Sequence, residues 1–275
     1  MKRPLLLLTG VFYLILSAAN INAQEQPPDQ EQERPLDGFY ERLSLEEREA
    51  VELPYIREAD ILYQKRVWQE IDLREKINQT LYFPQEPVGN RKNLTQVLYD
   101  AITDGEIQAY DAYVDDFSQP WTIEEVRNHL EEEIEYEDEV VTREFDPADV
   151  TSLRIKEDWF FNSKTSTLEV RIIGICPVRE VRRDDEVLTE PAFWVYFPEA
   201  RDVLANQEVF NPHNDAKRVS FDDMFLRRMF NSFIYKESTA SDRDIRDYRS
   251  GLDALLEAEE IENEIRYFEH DLWEY

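Results

Sequence analysis

The sequence predicts an α+β fold, mixed strands with flanking helices set out as two lobes and closed by a long C-terminal helix. Three observations carry this prediction. Polar caps at Asn93 and Thr122 precede helical apolar spacing in the first half of the chain. Alternating and continuous apolar runs between Leu153 and Val178 read as strands in the second half. From Asp242 onward, Ile261, Ile265, Phe268 and Leu272 recur at spacings of four, three and four, which is one stripe of a helix.

Taken in order, Lys2 and Arg3 precede an apolar segment from Leu5 to Leu16, and small residues end at Ala23 before Gln24. A charged start, a short apolar core and a small residue at the cut describe a secretory signal peptide over residues 1–23. The core is shorter than the roughly 20 residues needed to span a bilayer. No cysteine follows it to take a lipid, so a mature chain starting near Gln24 in the periplasm is expected. Residues 24–37 carry almost no apolar side chains and cannot offset the entropy of ordering, so they are expected to form a disordered tether. An N-terminal lobe is expected over 38–130. Within it Ser44-Leu-Glu-Glu47 fits a capping box for a short helix that stops before Pro54.

The stretch 55–78 shows two periodicities. Ala59, Tyr63 and Val67 lie four apart, as in a helix, whereas Val67, Gln69, Ile71 and Leu73 alternate, as in a strand. The reading is helix, then strand. Asn93 caps a helix to about Thr103 that ends at Asp104-Gly105, residues 106–117 are extended, and Thr122-Ile-Glu-Glu125 opens a further capped helix. That helix runs into the acidic stretch Glu131 to Glu139. A solvated, self-repelling linker over 131–148 is expected there, with a docking site for basic residues as the alternative. The C-terminal lobe, 149–275, opens with a strand Leu153–Phe161, a polar turn Asn162–Thr167 and a strand Leu168–Val178. A third strand, Phe193 to Phe197, is ended by Pro198. Ser220-Phe-Asp-Asp223 is another capping box, and Phe221, Phe225, Met229 and Phe233 continue it as one helical stripe, with Arg227 and Arg228 off that stripe.

The chain has 61 acidic and 31 basic residues, a formal charge of −30 over 275 residues. Such a surface repels nucleic acid and anionic headgroups and favours basic partners or cations. Nucleic-acid binding is thereby excluded as the main role. Fifteen Phe, 14 Tyr and 5 Trp supply a core, so the charge does not imply disorder of the whole. The single cysteine, Cys176, cannot close an intrachain bridge and is expected as a small buried hydrophobe in an apolar strand. The sequence has no nucleophile elbow, no phosphate-cradling glycine loop and no His-Glu-x-x-His. His129, His213 and His270 lie in separate neighbourhoods without metal-ligand spacing. Among so many carboxylates Asp184-Asp185 and Asp222-Asp223 carry little information, and the second pair fits charge at a first helical turn. No catalytic, cofactor-binding or metal residue is therefore expected.

The most informative stretch is Tyr55 to Asn78. It mixes Glu58, Asp60, Glu70, Asp72 and Glu75 with Arg57, Lys65, Arg66, Arg74 and Lys76, and sets Tyr55, Tyr63 and Trp68 among them. This stretch resembles the start of the mature GldN/PorN family, periplasmic components of the Bacteroidetes type IX secretion and gliding machinery. Phe221 to Ser238 is similar to that family's C-terminal region, and Asp158-Trp-Phe-Phe161 and Phe193 to Arg201 also resemble it. The resemblance implies a non-enzymatic subunit of a periplasmic ring complex, self-associating and without a cofactor. It also implies two partners: a GldK/PorK-like outer-membrane lipoprotein, which holds it at that membrane, and a GldM/PorM-like periplasmic motor subunit.

Arg57, Lys65, Arg66, Trp68 and Arg74 are the candidate partner interface, because aromatic and arginine anchors dominate binding. An internal salt-bridge network tying the lobes together is the competing reading of the same residues. The alternative function is a periplasmic carboxylate-dependent hydrolase, which a cleft holding two carboxylates about 5 to 9.5 Å apart would indicate.

Overall fold

The computed structural model describes residues 48–273 except 90, 137–138, 184–185, 212–213 and 215–216, with backbone alone at 132–142, 182–183, 186, 269 and 271–273. The expected signal peptide, tether and Ser44–Glu47 capping box, with Asp184-Asp185 and His213, lie outside the described residues. The chain opens with strand β1 (Ile61–Asp72), then helices α1 (Gln79–Tyr82) and α2 (Leu94–Thr103), the short strands β2 (Ala109–Tyr110) and β3 (Pro120–Trp121), and α3 (Ile123–Leu130). Next come β4 (Glu132–Tyr136), β5 (Glu139–Arg143), the long strands β6 (Val150–Asn162) and β7 (Thr167–Arg183), and β8 (Glu186–Pro191). The last third holds β9 (Trp194–Tyr196), α4 (Phe197–Asn206), β10 (Glu208–Val209), β11 (Val219–Ser220), α5 (Phe221–Leu226), β12 (Phe233–Glu237) and α6 (Leu252–Trp273). The class is α+β. The main sheet runs β12-β1-β6-β7-β9-β2-β3, with β8 on β7, and every pairing in it is antiparallel.

Local signals that depend only on neighbouring residues set the helix starts. Asn93 Oδ1 accepts from the Gln96 N–H at 2.7 Å, Thr122 and Glu125 complete a reciprocal capping box, and Ser220 Oγ accepts from the Asp223 N–H. At the other end of α3, buried Arg179 donates to the carbonyls of Leu130 (2.7 Å) and His129 (2.9 Å), a cationic cap on orphan acceptors.

Three expectations are corrected. The first half of 55–78 is not a helix: a single 3-10 turn, Glu58–Asp60, leads directly into β1. A spacing of four also returns to the same face of a strand. β1 bonds β6 along its length and β12 over Val67–Glu70, so over that stretch strands satisfy both sides of the backbone. The stripe from Phe221 to Phe233 is likewise broken. α5 stops at Leu226, and Arg228 takes φ +50 while the N–H groups of Arg228 and Met229 return to the carbonyls of Phe225 and Met224. That is a Schellman ending with arginine where glycine is usual, and it turns the chain into β12. Finally, 131–148 contains a paired hairpin, β4–β5, rather than a linker between lobes. Strands from both halves share the main sheet, and Ser44–Tyr275 is one compact unit.

Alternation gives the sheet two distinct faces. Ile71, Leu153, Ile155 and Ile175 point into a core closed by α1, α2, α4 and α5. Further along the same face Val67, Trp159 and Ile234 pack on Ala258, Ile261 and Ile265 of α6. The opposite face carries Trp68, Cys176, Trp194 and Tyr235.

Candidate functional site

Arg57 and Arg74 bracket β1, and Lys65, Arg66 and Trp68 lie on it. Arg57 turns back onto Asp60 through two contacts of 2.8 Å, which raises the guanidinium pKa and holds the Asp60 carboxyl below its usual range. Arg74 does the same to Asp72 at 3.0 and 2.9 Å. Both arginine side chains remain open to solvent, 65% and 73% exposed. Lys65 and Arg66 reach across strands instead. Lys65 Nζ meets Glu237 on β12 at 2.9 Å, and Arg66 forms a bidentate fork with Asp158, its direct register partner on β6, at 2.7 Å on both arms.

Trp68 is 6% exposed and sits in a row that crosses five strands: Lys236, Trp68, Lys156, Gly174, Tyr196. The two ammonium groups flank the indole, Lys236 Nζ at 4.8 Å and Lys156 Nζ at 5.6 Å from the ring centroid. The loop between β2 and β3 covers this row. Its Asp115 carboxylate accepts from the Trp68 indole N–H, and its backbone carbonyl accepts from Lys156 Nζ at 2.5 Å. Phe117, at φ +57, lays its ring over Gly174, where an added Cβ would come within 2.5 Å of the ring. The left-handed conformation costs a non-glycine residue roughly 1–2 kcal/mol, offset here by contacts with Tyr110 and Tyr196 at centroid distances of 5.3 and 5.5 Å. Burial lowers the Lys156 pKa, and the Asp115 charge opposes that fall.

On the other face a polar seam separates the two apolar clusters. Glu157, with no exposed surface, accepts from the Trp159 indole N–H at 2.9 Å and from Arg228 Nη1 at 2.7 Å. Arg228 Nη2 donates to the Gln69 carbonyl oxygen at 3.2 Å, and Ser232 Oγ donates to the same oxygen. The Arg228 guanidinium also lies 5.5 Å from the Trp159 ring centroid and 5.1 Å from that of Phe230. A second buried fork, Arg201 to Asp222 at 2.8 and 3.0 Å, joins α4 to α5, and Arg201 reaches the Val51 carbonyl at 2.6 Å. Asp222 is thus an ion-pair partner rather than only a first-turn charge.

Of these residues only Trp68 is buried: Arg66 shares its face of the sheet with its side chain 40% exposed, Lys65 lies on the other face at 27%, and Arg57 and Arg74 lie at opposite ends of β1. Sequence reasoning missed Asp115, Phe117, Lys156, Gly174 and Lys236. The available signal was Lys156-Glu157-Asp158, three charges in the middle of an apolar strand. Cys176 is buried, and burial pushes its thiol up to about 12, far from a reactive thiolate. A cavity of about 470 Å³ between β12 and the start of α6, and two of about 480 and 750 Å³ beside α1, have no Asp or Glu in their lining, whereas a depression of about 410 Å³ along α6 carries Glu259, Glu260 and Glu264. The described residues hold no group of three His, Cys, Asp or Glu side chains that could bind a metal, and none of their helices is long and apolar enough to cross a membrane. The family model described as gliding motility associated protein GldN matches residues 56–274. No curated protein matches the chain.

Proposed function

Because the chain belongs to the GldN family of gliding motility associated proteins, we propose that it is a non-catalytic structural subunit of a periplasmic ring in the type IX secretion and gliding apparatus. In this reading it couples a GldK/PorK-like outer-membrane lipoprotein to a GldM/PorM-like motor subunit, and it anchors or transmits force rather than catalysing a reaction. The observation that carries the reading is the extent of the family match, which takes in every element from β1 to α6. The internal ion pairs support it, because a cross-strand fork such as Arg66–Asp158 ties neighbouring strands together and engages its carboxylate within the fold. In this reading the interface is carried chiefly by the most exposed cations of the β1 block, Arg57 and Arg74, with the partly exposed Arg66 between them.

Deletion of the gene tests the role: cargo proteins should accumulate in the periplasm, and a wild-type copy should restore export. Arg57→Glu with Arg74→Glu should lower co-purification with the lipoprotein while the purified chain keeps its circular dichroism spectrum and a cooperative melt. Normal export from the deletion strain would sink the proposal. N-terminal sequencing of the fractionated protein checks the compartment, with a start near Gln24 expected.

A further inference from the structure

We propose that the protein associates head to tail with a second copy of itself, the outer face of α6 on one copy lying in an apolar groove beside α1 on the next. The idea rests on the subunit reading above for its setting and adds which surfaces meet. The two cavities beside α1 share Lys76, Thr80 and Phe210 and so form one groove. Ile77 (55% exposed), Phe83 (47%), Val88 (61%), Phe210 (48%) and Met229 (38%) converge on it. Single exposed apolar side chains are ordinary, but a contiguous patch rimmed by polar groups marks an interaction surface. Lys76 and Arg91 line the same groove, and neither has an ion pair among the described residues, whereas nearby Arg74 and Lys92 each do. In a chain of charge −30, two unpaired cations beside apolar walls select an occupant that carries carboxylates.

The molecule itself carries such an occupant. α6 packs against the sheet through Ala258, Ile261 and Ile265. Its opposite face presents Leu256 (52% exposed) and Tyr267 (67%), with Glu259, Glu260 and Glu264 between them on the same side of the helix. None of these glutamates has an ion pair among the described residues. Apolar anchors at helical spacing with acidic residues between them match an apolar groove with basic walls, the helix-in-groove mode of recognition. No residue of α6 lines the groove, so the two surfaces are separate on one copy. A contact between unlike surfaces repeats from copy to copy and generates a ring when its rotation closes.

Sedimentation equilibrium of the purified mature chain tests this with two charge-reversed proteins, Lys76→Glu with Arg91→Glu and Glu259→Lys with Glu260→Lys. Each alone sets like charge against like charge and should weaken self-association about tenfold or more. Mixed in equal amounts, the acidic groove of one meets the basic helix of the other, and association should return. Circular dichroism checks that both fold, as expected for exposed positions. A wild-type chain that stays monomeric, association indifferent to both changes, or a mixture that stays apart would each overturn the proposal. These outcomes are read on purified protein, so they are independent of the export phenotype that judges the subunit reading.

Discussion

The two faces of β1 and β6 are built from alternate residues of the same strands, yet they are held by different forces. Val67, Ile71, Leu153, Ile155 and Trp159 meet helices, and their burial is stabilised by apolar area, which has no preferred direction. Arg66, Trp68, Lys156 and Asp158 meet neighbouring strands and a loop, through a bidentate fork, two cation–π contacts and an indole-to-carboxylate hydrogen bond. The first face sets how tightly the sheet is covered. The second sets register, because a slip of one residue would separate every one of those partners. The exception sits on the apolar face itself: Glu157 is buried there with Arg228, between the two hydrophobic clusters.

That exception should give the largest effect. Arg228→Met leaves the Glu157 carboxylate buried against a single indole N–H, and breaking such a pair should cost about 3–5 kcal/mol in urea denaturation. Adding Glu157→Leu removes the stranded charge and should recover most of the loss. A double variant no more stable than the single would mean the seam is not held by ion pairing.

The loop-covered face is probed by Gly174→Ala, which drives a methyl group into the Phe117 ring. Overpacking of this kind should cost about 1–3 kcal/mol, with altered tryptophan fluorescence and faster proteolysis within 111–119. A spectrally silent variant would show that the ring moves freely and does not close this face.

Cys176→Ala should cost less, about 1–2 kcal/mol as a small cavity. The thiol should react with alkylating reagents only as the chain unfolds. Fast alkylation of the native protein would contradict its burial.

The smallest effect belongs to the end of β1. Asp72 is held below its usual pKa by Arg74, so the pair contributes stability above the unfolded carboxylate value and loses it as pH falls through the depressed folded value. The Arg74 side chain is 73% exposed and solvent screens the pair, so Arg74→Gln should reduce stability at pH 7 by under about 1 kcal/mol. Its urea midpoint should fall less steeply than that of the wild type between neutral and acid pH. Parallel curves would remove Asp72 from the acid response.

The helix starts at Asn93, Thr122 and Ser220 were legible because a cap is a contact over three residues. The strands at 150–162 and 167–183 were legible because burial on one face imposes alternation. Two four-residue spacings misled for one reason: Tyr63 to Val67 and Phe225 to Met229 fit a helix, and period four alone cannot tell a helix from a strand or from a chain that turns. Of the candidate site, the charged and aromatic residue types around Trp68 were visible, but their partners were not. Asp115 lies 47 residues from Trp68, and Asp158 lies 92 from Arg66. Nothing local distinguishes those two carboxylates from the other acidic residues.

The sequence by itself determined the class of fold, the capped helix starts, the long terminal helix and a cysteine that packs rather than reacts, because each follows from composition or from contacts within a turn or a strand. Only the tertiary structure decided that Trp68 is buried while Lys65 and Arg66 pair across opposite faces of the sheet, that Arg228 leaves the helix to neutralise Glu157, and that Lys76 and Arg91 share a groove with Phe210. Those outcomes depend on strand register and on segments far apart in the chain, and the energies that select them exist only once the sheet has closed.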